Sequence, residues 1–176
     1  MNALILHNSS LFIADTYVNK DPTAEQIAQG TLMCASEIER FGITPKVALL
    51  SNSNFGSGPN GGGNKMQDAL PIIRETRPDL QIDGEMQGDV AMMEEMRQQI
   101  WPDSTLKGSA NLLVMPNVEA ANISYNLLRV SAADGITVGP ILMGMNKPIH
   151  IITPISTVRR IVNMVALAAV DAQRNK

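Results

Sequence analysis

Two adjacent arginines, Arg159 and Arg160, fall in the first turn of a predicted helix whose start is marked by Ser156-Thr157. A helix N-terminus carries partial positive charge, so each cation there is disfavoured by roughly 0.3–1 kcal/mol. Two of them beside unpaired backbone N–H groups suit an anion. The alternative is that each arginine pairs with a carboxylate brought in from elsewhere in the fold. Upstream lie a Gly-Pro loop, Gly139-Pro140-Ile141-Leu142-Met143-Gly144, and a predicted strand, Pro148–Ile152. A second candidate is Leu50-Ser51-Asn52-Ser53-Asn54-Phe55-Gly56-Ser57. Small hydroxyl and amide side chains at the C-terminal end of a strand occupy the usual ligand crevice of open α/β sheets. Such groups hold phosphate or carbonyl oxygens, although a plain turn has the same composition.

Other motifs carry less. Gly56-Ser57-Gly58-Pro59-Asn60-Gly61 matches G-x-G-x-x-G after a strand. Pro59, Gly62 and Gly63 delay the next helix beyond the point where a pyrophosphate would meet its N-terminus, so the tract reads as a surface loop. It is not a P-loop, because no Ser or Thr follows Lys65. His7 and His150 are the only histidines and show no metal-ligand spacing with Cys34. Asp83-Gly84-Glu85 and Asp89 form an acidic cluster that could supply acid–base chemistry or hold a cation. Solvated turn residues are the expected reading.

Composition narrows the classes. The chain has 176 residues, 44% of them apolar and only 3% aromatic, so one domain or two small lobes must pack on an aliphatic, Met-rich core. Its eleven methionines serve that packing, which argues against a copper or haem site. A net charge of −3 with no basic block argues against nucleic acid and against a polybasic membrane surface. The single cysteine, Cys34, suits a reducing compartment and sits inside a predicted helix as a small buried hydrophobe. No apolar run approaches the ~18 residues of a membrane span, and the N-terminus lacks the pattern of a secretion signal. A cytoplasmic protein is expected.

Strand-like and helix-like segments alternate. Strands are predicted at Leu11–Ala14, Val47–Leu50, Leu80–Asp83, Asn111–Met115 and Pro148–Ile152. Helices are predicted from Asp21-Pro22 to about Phe41, and over Met66–Thr76, Val90–Ile100, Ala120–Val130 and Thr157–Gln173. The first helix should stop at Gly42, where glycine adopts a left-handed cap. Continuous apolar runs such as Val47–Leu50 belong to strands covered on both faces. The pattern gives an α/β fold, three-layer αβα, with a mostly parallel sheet. The last helix is apolar nearly all round, so it should be buried on most sides and pack on another subunit or domain.

Several stretches together resemble the phosphate acetyltransferase (phosphotransacetylase) family. They are Phe12–Asn19 with Asp21–Glu25, Val47–Ser51, Asp83–Gln87, Ala110–Asn117, Ala121-Asn122-Ile123-Ser124-Tyr125 and Gly139–Gly144. The likeness runs from about residue 11 to 173. Ser53–Ser57, Leu106–Asn111 and Thr157–Met164 look most like the phosphotransacetylase-type C-terminal domain of large bacterial NADP-dependent malic enzymes. The resemblance implies that residues 1–176 are the C-terminal half of a phosphotransacetylase-like domain, related in architecture to isocitrate and isopropylmalate dehydrogenases. About 11–138 would form one lobe, and about 139–176 a strand and terminal helix of the other.

The departures bear on function. Active members carry Asp-Leu-Ser-Arg-Gly where this chain has Ile151-Ile152-Thr153-Pro154-Ile155. The family's catalytic Ser falls on Thr153, the neighbouring Arg on Pro154 and the catalytic Asp on Arg160. A further family arginine falls near Val130 or Ser131, with Arg129 off register. Replacing Asp by Arg changes the charge by two units, each a ~4 kcal/mol interaction at about 4 Å and an effective dielectric of about 20. Proline cannot replace a bidentate phosphate donor. The resemblance thus implies a non-catalytic, acetyl-CoA-sensing and oligomerisation domain of an NADP-dependent malic enzyme. No residue is assigned as catalytic. Ligand contacts are expected from Ser53, Asn54, Gly56, Ser57, Asn122, Tyr125, Gly139, Pro140, Thr153, Arg159 and Arg160. No cofactor is expected within the chain. NADP and a divalent cation would belong to other domains of the parent, and the partners would be acetyl-CoA or a related phosphate-bearing metabolite and further copies of the chain. An active phosphate acetyltransferase using Thr153 and Arg129, or a purely structural assembly module, are the alternatives.

Overall fold

The computed structural model describes residues 1–58, 64–131, 136–154 and 156–174. The strands are β1 (Asn2–Ile5), β2 (Ser10–Ile13), β3 (Lys46–Leu50), β4 (Gln81–Met86), β5 (Leu112–Val114) and β6 (Ile136–Val138). The helices are α1 (Ala24–Arg40), α2 (Lys65–Thr76), α3 (Gly88–Met92), α4 (Glu94–Ile100), α5 (Val118–Ser131) and α6 (Val158–Arg174). The six strands form one sheet in the order β4-β3-β5-β2-β1-β6. The β3–β4, β3–β5 and β2–β5 pairs are parallel, and β1 is antiparallel to both β2 and β6. Five strands therefore share one direction and only β1 is reversed.

Alternation along the strands makes the layers, because successive side chains point to opposite faces. Phe12, Val47, Leu49, Leu112 and Val114 pack with α1 and α2 residues such as Ile27, Ile38, Ala69 and Ile73, and with Met164 of α6. Ile13, Ala48, Leu50, Leu113 and Met115 pack on the other face with Val90 and Ala91 of α3 and Ala121 and Tyr125 of α5. The result is the expected three-layer αβα arrangement with a mostly parallel sheet. Cys34 is buried, and burial pushes its thiol up to about 11, which leaves it inert as a nucleophile.

Local chemistry shifts several boundaries. The first helix begins after Thr23 rather than at Asp21. The Thr23 hydroxyl accepts the Gln26 N–H while the Gln26 side chain accepts the Thr23 N–H, a reciprocal capping box. It ends at Arg40, and Gly42 takes φ +76, as the glycine signal requires. The Val90–Ile100 helix is interrupted at Met93, whose extended backbone separates α3 from α4.

Three expectations are corrected. Pro148–Ile152 forms no strand: proline lacks a ladder donor, and Ile149, Ile151 and Ile152 are exposed. Asp83 and Glu85 are not solvated turn residues but buried members of β4. The last helix buries little in this chain, with Met164 and Asp171 inside and Val158, Val162 and Val165 exposed. β1 and β6 go unpredicted because they are short and, for β6, partly exposed.

The packing of α3 and α4 against the following segment depends on Arg97, whose side chain is 0% exposed. It donates to the carbonyls of Val90 (3.0 Å), Ala91 (3.2 Å), Leu106 (3.0 Å) and Gly108 (2.6 Å). Removing a guanidinium that satisfies three buried carbonyls and one part-buried one exposes the buried ones to a desolvation penalty of about 1–3 kcal/mol each, in part relieved by relaxation. Arg97→Met should therefore lower unfolding stability in denaturant by about 3 kcal/mol or more, and Arg97→Lys should recover only part of that, since an ammonium lacks the planar fork.

Candidate functional site

Because β2 to β6 run the same way, Asp15-Thr16, Ser51–Ser57, Gln87, Met115-Pro116 and Gly139-Pro140 all lie beyond the carboxyl ends of strands, on one edge of the sheet. β3 leads to α2 on one face, and its neighbour β5 leads to α5 on the other. Crossovers that leave neighbouring strands toward opposite faces open a crevice, the usual ligand position of such sheets. A cleft of about 600 Å³ lies there, lined by Ser51, Asn52, Asn64, Lys65, Pro116 and Ser124 among others. Asn64 caps α2, its side chain accepting the Met66 (2.8 Å) and Gln67 (3.2 Å) N–H groups. Lys65 is ion-paired with Asp21 across the α1 approach.

Ser53, Asn54, Gly56 and Ser57 form one group beside this cleft, held by β4. The Glu85 side chain is fully buried, and one of its oxygens accepts the Ser53 hydroxyl (2.8 Å) and the Gly56 N–H (3.0 Å). Asn54 and Gln87 exchange two hydrogen bonds, 2.9 and 2.8 Å, and Ser57 Oγ accepts the Asn54 N–H at 3.1 Å. Phe55, at φ +47, stacks on Trp101 with ring centroids 5.1 Å apart. Gly84 lets β4 lie this close: a Cβ there would come within 2.7 Å of the Leu49 carbonyl.

Asn122, Gly139 and Arg160 form a second group, joined through two residues that the sequence did not single out, Asn2 and Thr16. The Arg160 Nε donates to the Gly139 carbonyl at 2.7 Å. Gly139, at φ +125, is pressed against Asn2, whose Oδ1 would lie 2.6 Å from a Cβ at that position. The buried Asn2 amide donates to the Thr16 hydroxyl, and the Thr16 carbonyl accepts from Asn122 Nδ2 at 3.1 Å. Asn126 donates in turn to Asn122 Oδ1 (3.0 Å). Pro140 follows Gly139 in the same turn, and Tyr125 is buried one helical turn beyond Asn122 under the guanidinium of Arg129, 5.8 Å from its ring.

Two candidates stand apart from both groups. Thr153 is exposed and its N–H donates to Ser156 Oγ (3.1 Å). Arg159 is exposed in the first turn of α6, which Thr157 caps through the Arg160 N–H (3.3 Å). Neither Arg159 nor Arg160 forms an ion pair with a carboxylate among the described residues. Arg160 instead satisfies a carbonyl, and Arg159 is exposed. Pro59 to Gly61 of the glycine-rich tract, and Ile155, lie outside the described residues. No group of three or more His, Cys, Asp or Glu side chains among the described residues is arranged to hold a metal ion, and no helix among them is long and apolar enough to cross a membrane.

The comparisons agree with this architecture. The family described as phosphate acetyl/butaryl transferase matches residues 1–169. The chain is 62% identical over 173 residues to the NADP-dependent malic enzyme of Escherichia coli (strain K12), covering 98% of this chain and 23% of that protein. It is 37% identical to the phosphate acetyltransferase of Corynebacterium glutamicum, covering 96% of this chain and 51% of the relative. Among solved structures, EutD phosphotransacetylase from Staphylococcus aureus superposes with a TM-score of 0.86 at 26% identity over 99% of this chain and 53% of that one. A phosphotransacetylase from Streptococcus pyogenes gives 0.85 at 30% identity over 98% and 54%. The chain thus spans about a quarter of the malic enzyme's length and about half of the Corynebacterium glutamicum phosphate acetyltransferase and of the two solved phosphotransacetylases.

The clamp by Glu85 makes a spectroscopic prediction, since Trp101 is the single tryptophan. Glu85→Ala strips the acceptor from the Ser53 hydroxyl and the Gly56 N–H. The loop should loosen, Phe55 should leave Trp101, and the emission maximum should move to the red. Glu85→Gln keeps an acceptor oxygen and should leave the emission close to wild type.

Proposed function

Because the chain belongs to the phosphate acetyl/butaryl transferase family, we propose that it works as a phosphotransacetylase-like module that binds acetyl-CoA, or a related phosphate-bearing metabolite, without turning it over. In this reading the chain is the C-terminal half of such a domain, and its parent is an NADP-dependent malic enzyme that oxidises and decarboxylates malate to pyruvate. The observation that carries the reading is Arg160. Where the family resemblance puts a catalytic acid, the chain has a guanidinium held at 2.7 Å on the Gly139 carbonyl, one helical position from the exposed Arg159. A cation in that place attracts phosphate and cannot take the proton of a thiol. Thr153 and Pro154, in the positions of the family's serine and arginine, are exposed and offer no bidentate phosphate donor.

The carboxyl edge retains what binding needs. Ser53, Asn54, Gly56 and Ser57 are held rigid by Glu85 and Gln87, and the adjoining cleft of about 600 Å³ is wide enough for a substantial part of a coenzyme. A ligand can regulate the parent only if it binds two states with different affinity. The exposed apolar face of α6, with Val158, Val162 and Val165, is the natural place for that difference to arise, through packing on another domain or another copy. NADP and its divalent cation would be held by other domains of the parent.

Steady-state kinetics on a protein carrying this chain in its malic enzyme test the reading. Malate oxidation should change with acetyl-CoA concentration. Arg160→Ala should move the half-effect concentration upward by about tenfold, equivalent to ~1.4 kcal/mol of lost binding. Acetyl phosphate should not form from acetyl-CoA and phosphate. A malate rate flat across all acetyl-CoA concentrations would sink the regulatory reading, and steady acetyl phosphate formation would establish an active acetyltransferase instead.

A further inference from the structure

A cleft of about 380 Å³ lies away from the carboxyl-edge crevice, between α1, the segment Ile141–His150 and the C-terminal part of α6. Its charged lining comes from three elements. α1 supplies Glu37 and Arg40, α6 supplies Asp171, and the connecting segment supplies Lys147 and His150. Arg40 donates to Glu37 at 2.6 Å and also grips Asp171, so one guanidinium ties the last helix to the first. Met164, Leu167 and Arg160 also attach α6. Beside it sits His150. Both of its ring nitrogens are inaccessible to solvent and neither has a hydrogen-bond partner among the described residues. A buried polar group without a partner calls for an explanation.

We propose that His150 and the Arg40–Asp171 pair form an acid-sensitive catch that holds α6 on α1. A neutral imidazole is tolerated in this enclosed place. An imidazolium is not, because its ring nitrogens have no acceptor in place, and the acid that acts on it, Asp171, already holds Arg40. The cations facing it are Arg40 and Lys147, with the Met1 amino group nearby on the Ile141 carbonyl. The imidazole is held below its usual range, first by burial and further by the Met1 amino group, with Asp171 acting in the opposite sense. A base whose pKa falls on closing favours the closed form above its ordinary value and loses that preference as pH drops. The catch is thus shut near neutrality and loosens below about pH 6.5. Opening it takes Arg160 away from the Gly139 carbonyl, which links acid to the carboxyl-edge site. The catch itself does not depend on what that site binds.

Hydrogen exchange of the wild-type chain at pH 7.5 and 5.5, corrected for intrinsic rates, reads the catch directly. A proton taken up only on opening, with an ordinary pKa of about 6.5, changes the open population about tenfold between these values. Amides of α6 should lose protection by up to that factor in the wild type and keep it in His150→Gln, which cannot titrate. An equal loss in both proteins overturns the proposal. Should His150→Gln fail to fold, imidazole resonances of the wild type decide. His150 should titrate below the ordinary imidazole value of about 6.5, with the methyl signals of Val162 and Val165 moving on the same curve. Titration of His150 at or above that value, or methyl signals that stay fixed, overturns it.

Discussion

Five strands running in one direction constrain everything else in this chain. Parallel neighbours cannot be joined by tight turns, so each strand must be followed by a crossover, and every crossover leaves from the same edge. Short polar loops after β2, β3, β4, β5 and β6 are thereby brought to one side of the molecule. Those loops cannot be anchored by the ladder, which ends where they begin. They are anchored by polar side chains that the sheet itself buries. Glu85 serves the loop after β3, the Asn2 amide serves the turn after β2, and the turn after β6 packs against Asn2. In an interior of low polarity such groups are costly unless satisfied, and one Glu85 oxygen and the Asn2 amide nitrogen find their partners in these loops.

Much of this fold is legible in the residues. Val47–Leu50 and Leu112–Met115 are continuous apolar runs, and both are strands covered on two faces. Gly42 ends the first helix as a left-handed glycine should. What is not legible depends on contacts distant in sequence. Asn2 sits in a strand and has no local signal, because its importance comes from Thr16 and Gly139. Asp83 and Glu85 look like turn residues until their partners are known. These are Ser104, Thr105 and Arg74 for the first, and Ser53 and Gly56 for the second. The alternation through Leu80–Met86 was the available clue that the strand continued past Asp83. Ile149–Ile152 misleads in the other direction, since an apolar run makes a strand only where a neighbour offers hydrogen bonds.

The arginine pair shows how residues can be legible in type while one of their partners is not. A cation in the first turn of a helix needs compensation. The sequence suggested either a carboxylate or an anion from outside. Arg160 uses neither for one of its donors, taking the carbonyl of Gly139 instead. That contact orients its guanidinium by a rigid turn rather than by another flexible side chain. Arg159, one position earlier, is exposed. Together they give one cation held on a carbonyl and one exposed cation at the same helix end, the pair on which the proposed binding of a phosphate-bearing ligand rests.

The central claim is that this edge of the molecule binds acetyl-CoA through α6. Isothermal titration of acetyl-CoA into the chain, beside the Arg159→Ala, Arg160→Ala double variant, tests it most directly. The account predicts saturable heat with one site per chain, lost in the double variant while its thermal unfolding stays close to wild type. Undiminished binding in the double variant, or no binding by the wild-type chain, would contradict it.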